Sequence, residues 1–101
     1  MSLRDEYEAA VRALAARAEA LLGQGASPEA VARALHADRL ALAVDYKRRT
    51  PEPLRARIYA RTETKYGNPS GPTIEALIAQ GKSWEQIIAG ATRPGLATTL
   101  D

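Results

Sequence analysis

Ala20-Leu21-Leu22-Gly23-Gln24-Gly25-Ala26-Ser27-Pro28-Glu29 aligns, at an offset of 56 residues, with Ala76-Leu77-Ile78-Ala79-Gln80-Gly81-Lys82-Ser83-Trp84-Glu85. Each stretch runs from apolar residues to glycine to serine, the order that ends one helix and begins the next. Glycine takes the left-handed conformation that closes a helix without a Cβ penalty. The serine oxygen accepts one of the backbone N–H groups that the first helical turn leaves without a partner. This cap chemistry dictates the repeat by itself; a helix-turn-helix motif is the sharper account of it. Both accounts make the chain all-α.

Toward the N-terminus, Leu3, Tyr7, Val11, Leu14, Ala18 and Leu21 recur at three- and four-residue steps, which predicts a first amphipathic helix within residues 1–22. Ser27-Pro28-Glu29 supplies the N-cap, the first helical residue and a dipole-favouring acid of a second helix. Its Val31, Leu35, Leu42 and Tyr46 point inward, and it runs to about Arg48 with a break expected near His36-Ala37-Asp38. Thr50-Pro51-Glu52 repeats the opening pattern for a third helix, with Leu54 and Ile58 on its buried face and Gly67 as its C-terminal glycine.

A turn-dense stretch follows, Gly67-Asn68-Pro69-Ser70-Gly71-Pro72. Thr73 or Gly71 then caps a short fourth helix ending at Gly81, and Ser83-Trp84-Glu85-Gln86 carries the capping-box spacing of a fifth. Beyond Arg93-Pro94-Gly95 the expectation is a frayed tail over residues 96–101. A chain of 101 residues is long enough for one core and too short for two. The predicted architecture is a single-domain, compact bundle of four to five helices.

Alanine supplies 21 residues and phenylalanine none, so the core should be thin, with helices packed closely. The absence of cysteine excludes disulfides and thiolate metal sites. His36 is the single histidine and no carboxylates cluster at ligand spacing, so neither a metal nor another cofactor is expected. Without cysteine or a Ser-His-acid pattern, conventional nucleophilic hydrolysis has no visible apparatus. The start Met1-Ser2-Leu3-Arg4-Asp5-Glu6 is charged and no apolar run of signal-peptide or membrane-spanning length follows it. The expected place is the cytoplasm, or a target cell reached by secretion or delivery within a larger effector, and no membrane partner is expected.

The net charge of +2 is distributed unevenly. Residues 47–66 hold seven Lys/Arg against two Asp/Glu, net +5, while both flanking segments are net negative. Arg57, Arg61 and Lys65 fall at i, i+4 and i+8, within about 80° of one another on a helix. Such a stripe suits a phosphate backbone, and Tyr59 and Tyr66 beside it suit base stacking. The plain alternative is a solvated face whose arginine stems cover apolar surface. Tyr66 through Thr73 offers hydroxyls, an amide and free N–H groups at a helix start, although an ordinary turn needs the same residues. Arg55, Arg57, Tyr59, Lys65, Asn68 and Thr73 are therefore the candidate phosphate or nucleic-acid contacts. Trp84, between Lys82 and Glu85, reads first as an anchor of the core. If the chain is an enzyme, its Arg, Lys, Tyr, Glu, Asn and Thr side chains suit metal-independent RNA cleavage by internal transesterification.

The run from Ile58-Tyr59-Ala60-Arg61-Thr62 through Lys65-Tyr66-Gly67-Asn68-Pro69-Ser70-Gly71-Pro72-Thr73 to Gly81-Lys82-Ser83-Trp84-Glu85-Gln86-Ile87-Ile88 and Ala91-Thr92-Arg93-Pro94-Gly95 resembles an all-helical C-terminal module of bacterial polymorphic toxins of the Rhs and contact-dependent type. The resemblance covers residues 27–95. It implies a toxic effector domain, most often a nuclease in such systems, with an immunity protein covering its basic face. Carried over by position, it marks Tyr59, Arg61, Tyr66, Gly67, Gly71, Pro72, Thr73, Lys82, Trp84, Glu85 and Arg93. Arg61, Tyr66, Lys82, Glu85 and Arg93 are the candidate catalytic residues. The family pattern has Asn where this chain has Thr62, often Asp at Asn68, and often a large apolar residue at Ser70. Those departures put catalytic competence in doubt.

Three functions compete at this level. One is a nucleic-acid-directed toxin or effector, with nuclease activity. Another is a helix-turn-helix DNA-binding protein, with residues 25–35 as its first helix and Asp38 opening a recognition helix. The last is a non-catalytic adaptor or antitoxin-like module that sets the same arginine face on an acidic protein.

Overall fold

Ser2, Ser27, Thr73 and Ser83 each accept, through a side-chain oxygen, the backbone N–H three residues ahead, and these caps open four of the five helices. The computed structural model describes residues 2–69 and 71–94, so Ser70, Gly95 and the expected tail 96–101 lie outside the described residues. Its helices are α1 (Leu3–Gly23), α2 (Pro28–Arg49), α3 (Leu54–Tyr66), α4 (Ile74–Ala79) and α5 (Trp84–Thr92), with no strand among the described residues.

The two copies of the sequence repeat fold alike, bond for bond. In the first, Gly25 N–H donates to Leu22 O and Ala26 N–H to Leu21 O; in the second, Gly81 N–H donates to Ile78 O and Lys82 N–H to Leu77 O. This is the Schellman closure, and it requires the positive φ of Gly25 (93°) and Gly81 (83°). The cap chemistry is therefore the same in both copies.

α2 is the axis of the molecule, packed against α1 on one side and α5 on the other, while α1 and α5 also meet and α3 rests more lightly on α2. Leu14, Ala18, Val31, Leu35 and Ala91 form the core, with Leu21, Ala26, Ala34, Leu42 and Ile88 packed around it. The thin alanine-rich core expected from composition is what forms, and the molecule is only 17 Å through its shortest axis.

Four expectations are corrected. α2 does not break near His36-Ala37-Asp38, because those polar side chains make lateral contacts instead: Asp38 pairs with Arg17 of α1 at 2.6 Å, and the His36 ring meets the Pro72 carbonyl at 3.0 Å. A recognition helix opening at Asp38 is thereby absent. The third helix begins at Leu54, and Thr50 closes α2, donating its hydroxyl to Tyr46 O at 2.7 Å. The Glu52–Pro53 peptide is cis, and the Glu52 carboxylate accepts Ala56 N–H at 2.9 Å. With this start, Ile58 is buried while Leu54 is 49% exposed and not inward as its spacing suggested.

Candidate functional site

Ile58 and Thr62 are the buried positions of α3, which fixes the helix's rotation. Arg57, Arg61 and Lys65 then lie along its exposed flank. Among the described residues none of the three has an acidic partner. Their neighbours differ. Arg48 pairs with Asp45 at 2.7 Å, Arg49 with Glu6 and Asp45 at 3.4 Å each, and Arg55 with Glu52 at 3.6 Å. Arg48 foremost holds the Asp45 carboxyl below its ordinary range, desolvation opposes it, and Arg49 adds to the lowering. Asp45 and Glu52 are thus taken up by Arg48, Arg49 and Arg55, Glu63 is exposed and pairs with no cation among the described residues, and on the ridge Arg57–Arg61–Lys65 the Lys65 Nζ lies 5.4 Å from the Tyr66 ring centroid.

Two members of the basic segment are placed differently from the sequence expectation. Lys47 is 2% exposed, its Nζ donating to Pro69 O at 3.3 Å and lying 5.3 Å from the Tyr59 ring centroid. Burial holds its pKa below the ordinary lysine range. Tyr59 is half-buried over Lys47 and does not flank the ridge, since two residues of helix turn it about 200° from Arg57. Thr62, where the resembled pattern has Asn, is buried with its hydroxyl donating to Ile58 O at 2.9 Å.

The loop after α3 is tied to α2 at two points, by Lys47 at Pro69 and by His36 at Pro72. A carbonyl only accepts, so the imidazole carries a proton on Nε2. Asn68 is half-buried, with its carbonyl receiving Gly71 N–H at 3.1 Å, and the Thr73 hydroxyl caps α4 through Ala76 N–H at 3.1 Å. These two candidates therefore serve the turn and the cap.

Beneath this loop, between α2, α4 and α5, lies a cleft of about 550 Å³. Tyr66, Lys82 and Arg93, three of the five candidate catalytic residues, line it together with His36 and Arg39. Among the described residues no Asp or Glu lines it. Arg61 stands apart, beside a second depression it shares with Arg57, and Glu85 is exposed on the first turn of α5 without lining the cleft. Among the described residues no cluster of three or more His, Cys, Asp or Glu is arranged to hold a metal ion, and no helix is long and apolar enough to cross a membrane.

Sequence reasoning missed Arg39, which is 3% exposed and forms one wall of the cleft. The signal was present: Val31, Leu35, Arg39, Ala43 and Lys47 stand at four-residue steps, and all five are buried. Trp84, expected as the anchor of the core, is half-buried at the start of α5 with the Arg33 guanidinium 5.6 Å from its ring centroid. Among the described residues Val11, Val31 and Leu35 are the large side chains buried completely. The chain matches no family model, no curated protein and no solved structure.

Proposed function

We propose that this domain is a nucleic-acid-directed effector that holds a phosphodiester backbone on the α3 ridge. The observation that carries this is the exposed row Arg57–Arg61–Lys65, without acidic partners among the described residues, beside arginines that all have them. Cations without an acidic partner are available to phosphate, Lys65 having only the Tyr66 ring 5.4 Å from its Nζ, and their binding releases counterions. A toxin role, with an immunity protein over this face, follows from the resemblance described above.

The gathering of Tyr66, Lys82, Arg93 and His36 around one cleft favours cleavage over binding alone. In an internal transesterification the RNA 2′-oxygen loses its proton and bonds to phosphorus, the bond from phosphorus to the 5′-oxygen breaks, and that oxygen takes up a proton. His36 and Tyr66 are the groups suited to proton transfer, and Lys82 and Arg93 to the charge of the pentavalent phosphate. DNA, lacking the 2′-hydroxyl, would be bound and left intact.

The test is expression in a bacterial cytosol with host viability and total RNA and DNA run on gels, paired with mobility shifts of RNA and DNA by the purified chain. RNA fragmentation or salt-dependent binding is the expected result. Healthy cells, intact nucleic acid and no mobility shift would overturn the proposal.

A further inference from the structure

The ridge accounts for a backbone, but it leaves the cleft's composition unexplained. One part of its wall is apolar, with Leu40, Leu77 and Ile87. Gln80 and Gln86 add two neutral amides, Gln86 with its Oε1 already accepting Ser83 N–H at 2.8 Å in the α5 cap, and Lys82 and Arg93 add two cations that pair with no carboxylate among the described residues. Arg39 contributes positive charge, although its guanidinium is already engaged with Tyr7 and with carbonyls at the end of α5. The volume of about 550 Å³ lies inside the usual range of small-molecule sites. An apolar wall, side-chain amides and two cations without carboxylate partners among the described residues match a ligand with a flat apolar body, polar edges and an anionic end.

We propose that the cleft receives one unstacked nucleotide of a single strand. Its base lies against Leu40, Leu77 and Ile87, its edge meets Gln80 and Gln86, and its phosphate meets Lys82 and Arg93. This deepens the nucleic-acid reading above and rests on it. A base inside a duplex cannot reach such a pocket without being flipped out, so single strands enter the cleft and duplexes stay on the ridge.

The experiment titrates the isotopically labelled native chain with adenosine and uridine monophosphates, the corresponding nucleosides, inorganic phosphate and a single-stranded oligonucleotide, following backbone amides by NMR. The expected result is that mononucleotides and the oligonucleotide both shift Gln80, Gln86 and Gly90, that nucleoside or phosphate alone binds more weakly, and that the Lys82→Gln/Arg93→Gln double variant, its spectrum otherwise native, lowers mononucleotide affinity by about tenfold or more. An oligonucleotide that binds with salt dependence while neither it nor a mononucleotide shifts the cleft amides would overturn the cleft assignment and leave the ridge standing. Binding of neither would overturn both.

Discussion

The Arg39 guanidinium donates through Nε to the Tyr7 hydroxyl at 3.0 Å, and its Nη1 donates to the carbonyls of Gly90, Ala91 and Arg93 at 2.9, 3.2 and 3.1 Å. One buried side chain of α2 thus joins α1 to the C-terminal end of α5, where helix carbonyls lack partners and carry partial negative charge. The Tyr7 ring in turn stacks on Tyr46, centroids 4.8 Å apart. Arg39→Met should remove these bonds, one to the buried Ala91 carbonyl and three to part-buried acceptors, and cost about 3 kcal/mol, lowering the Tm by about 15 °C. Arg39→Lys, which keeps a cation but lacks the planar fork, should fall between. Urea unfolding measures both. An Arg39→Met variant within about 0.5 kcal/mol of native would show that the tie contributes little.

Lys47 should leave a signature in the pH dependence of stability. Burial lowers its pKa in the folded chain, so between that lowered value and about 10.4 the unfolded chain binds more protons. Stability therefore rises with pH across that window, and below it the folded state carries the whole penalty of a buried cation. Tyr46 acts in the opposite sense: burial, foremost, raises its pKa, so above about pH 10 the unfolded chain loses a proton that the folded chain keeps, and stability falls. Lys47→Met should abolish the alkaline rise and retain the later fall. Parallel profiles for the native and variant chains, from urea unfolding between about pH 7 and pH 11, would contradict this account.

The parts of the fold legible in the sequence are those set by local chemistry. Ser27, Ser83 and Thr73 cap where their spacing said they would, and Gly67 and Gly81 close helices with positive φ. Missed features depend on the partner a side chain meets. His36 and Asp38 looked like an interruption because a polar cluster in mid-helix has no local purpose; their purpose lies across the fold, at Pro72 and Arg17. Arg39 and Lys47 were counted as charge, although their four-residue register with Val31 and Leu35 marked them as interior. The site divided in the same way. The ridge follows from helix periodicity within α3, whereas the meeting of Tyr66, Lys82 and Arg93 needed α2, α4 and α5 to be packed first.

The matched turns make a paired prediction. A Cβ at Gly25 or Gly81 would meet no atom within 4 Å, so the cost of alanine there is purely that of the left-handed backbone. Gly25→Ala and Gly81→Ala should each cost about 1–2 kcal/mol, with asparagine cheaper than alanine at both positions. Thermal unfolding of the four variants checks the order. Alanine without cost at either site would mean that the glycine turn is not what closes that helix.

Arg55 and Arg61 separate a solvated charge from a gripping one, since both belong to α3 but Arg55 pairs with Glu52 and Arg61 has no acidic partner among the described residues. If Arg57, Arg61 and Lys65 each neutralise one phosphate of a DNA duplex, which stays on the ridge, the logarithm of affinity should fall with the logarithm of salt at a slope of about −2.7. Arg61→Gln should reduce that slope by about 0.9, and Arg55→Gln by less than half as much. The triple replacement of Arg57, Arg61 and Lys65 by glutamine should bring the slope close to zero while circular dichroism stays native, because none of the three side chains is buried. Mobility shifts at several salt concentrations supply each slope. An unchanged slope in the triple variant, or equal losses at Arg55 and Arg61, would place the backbone contact on another face of the molecule.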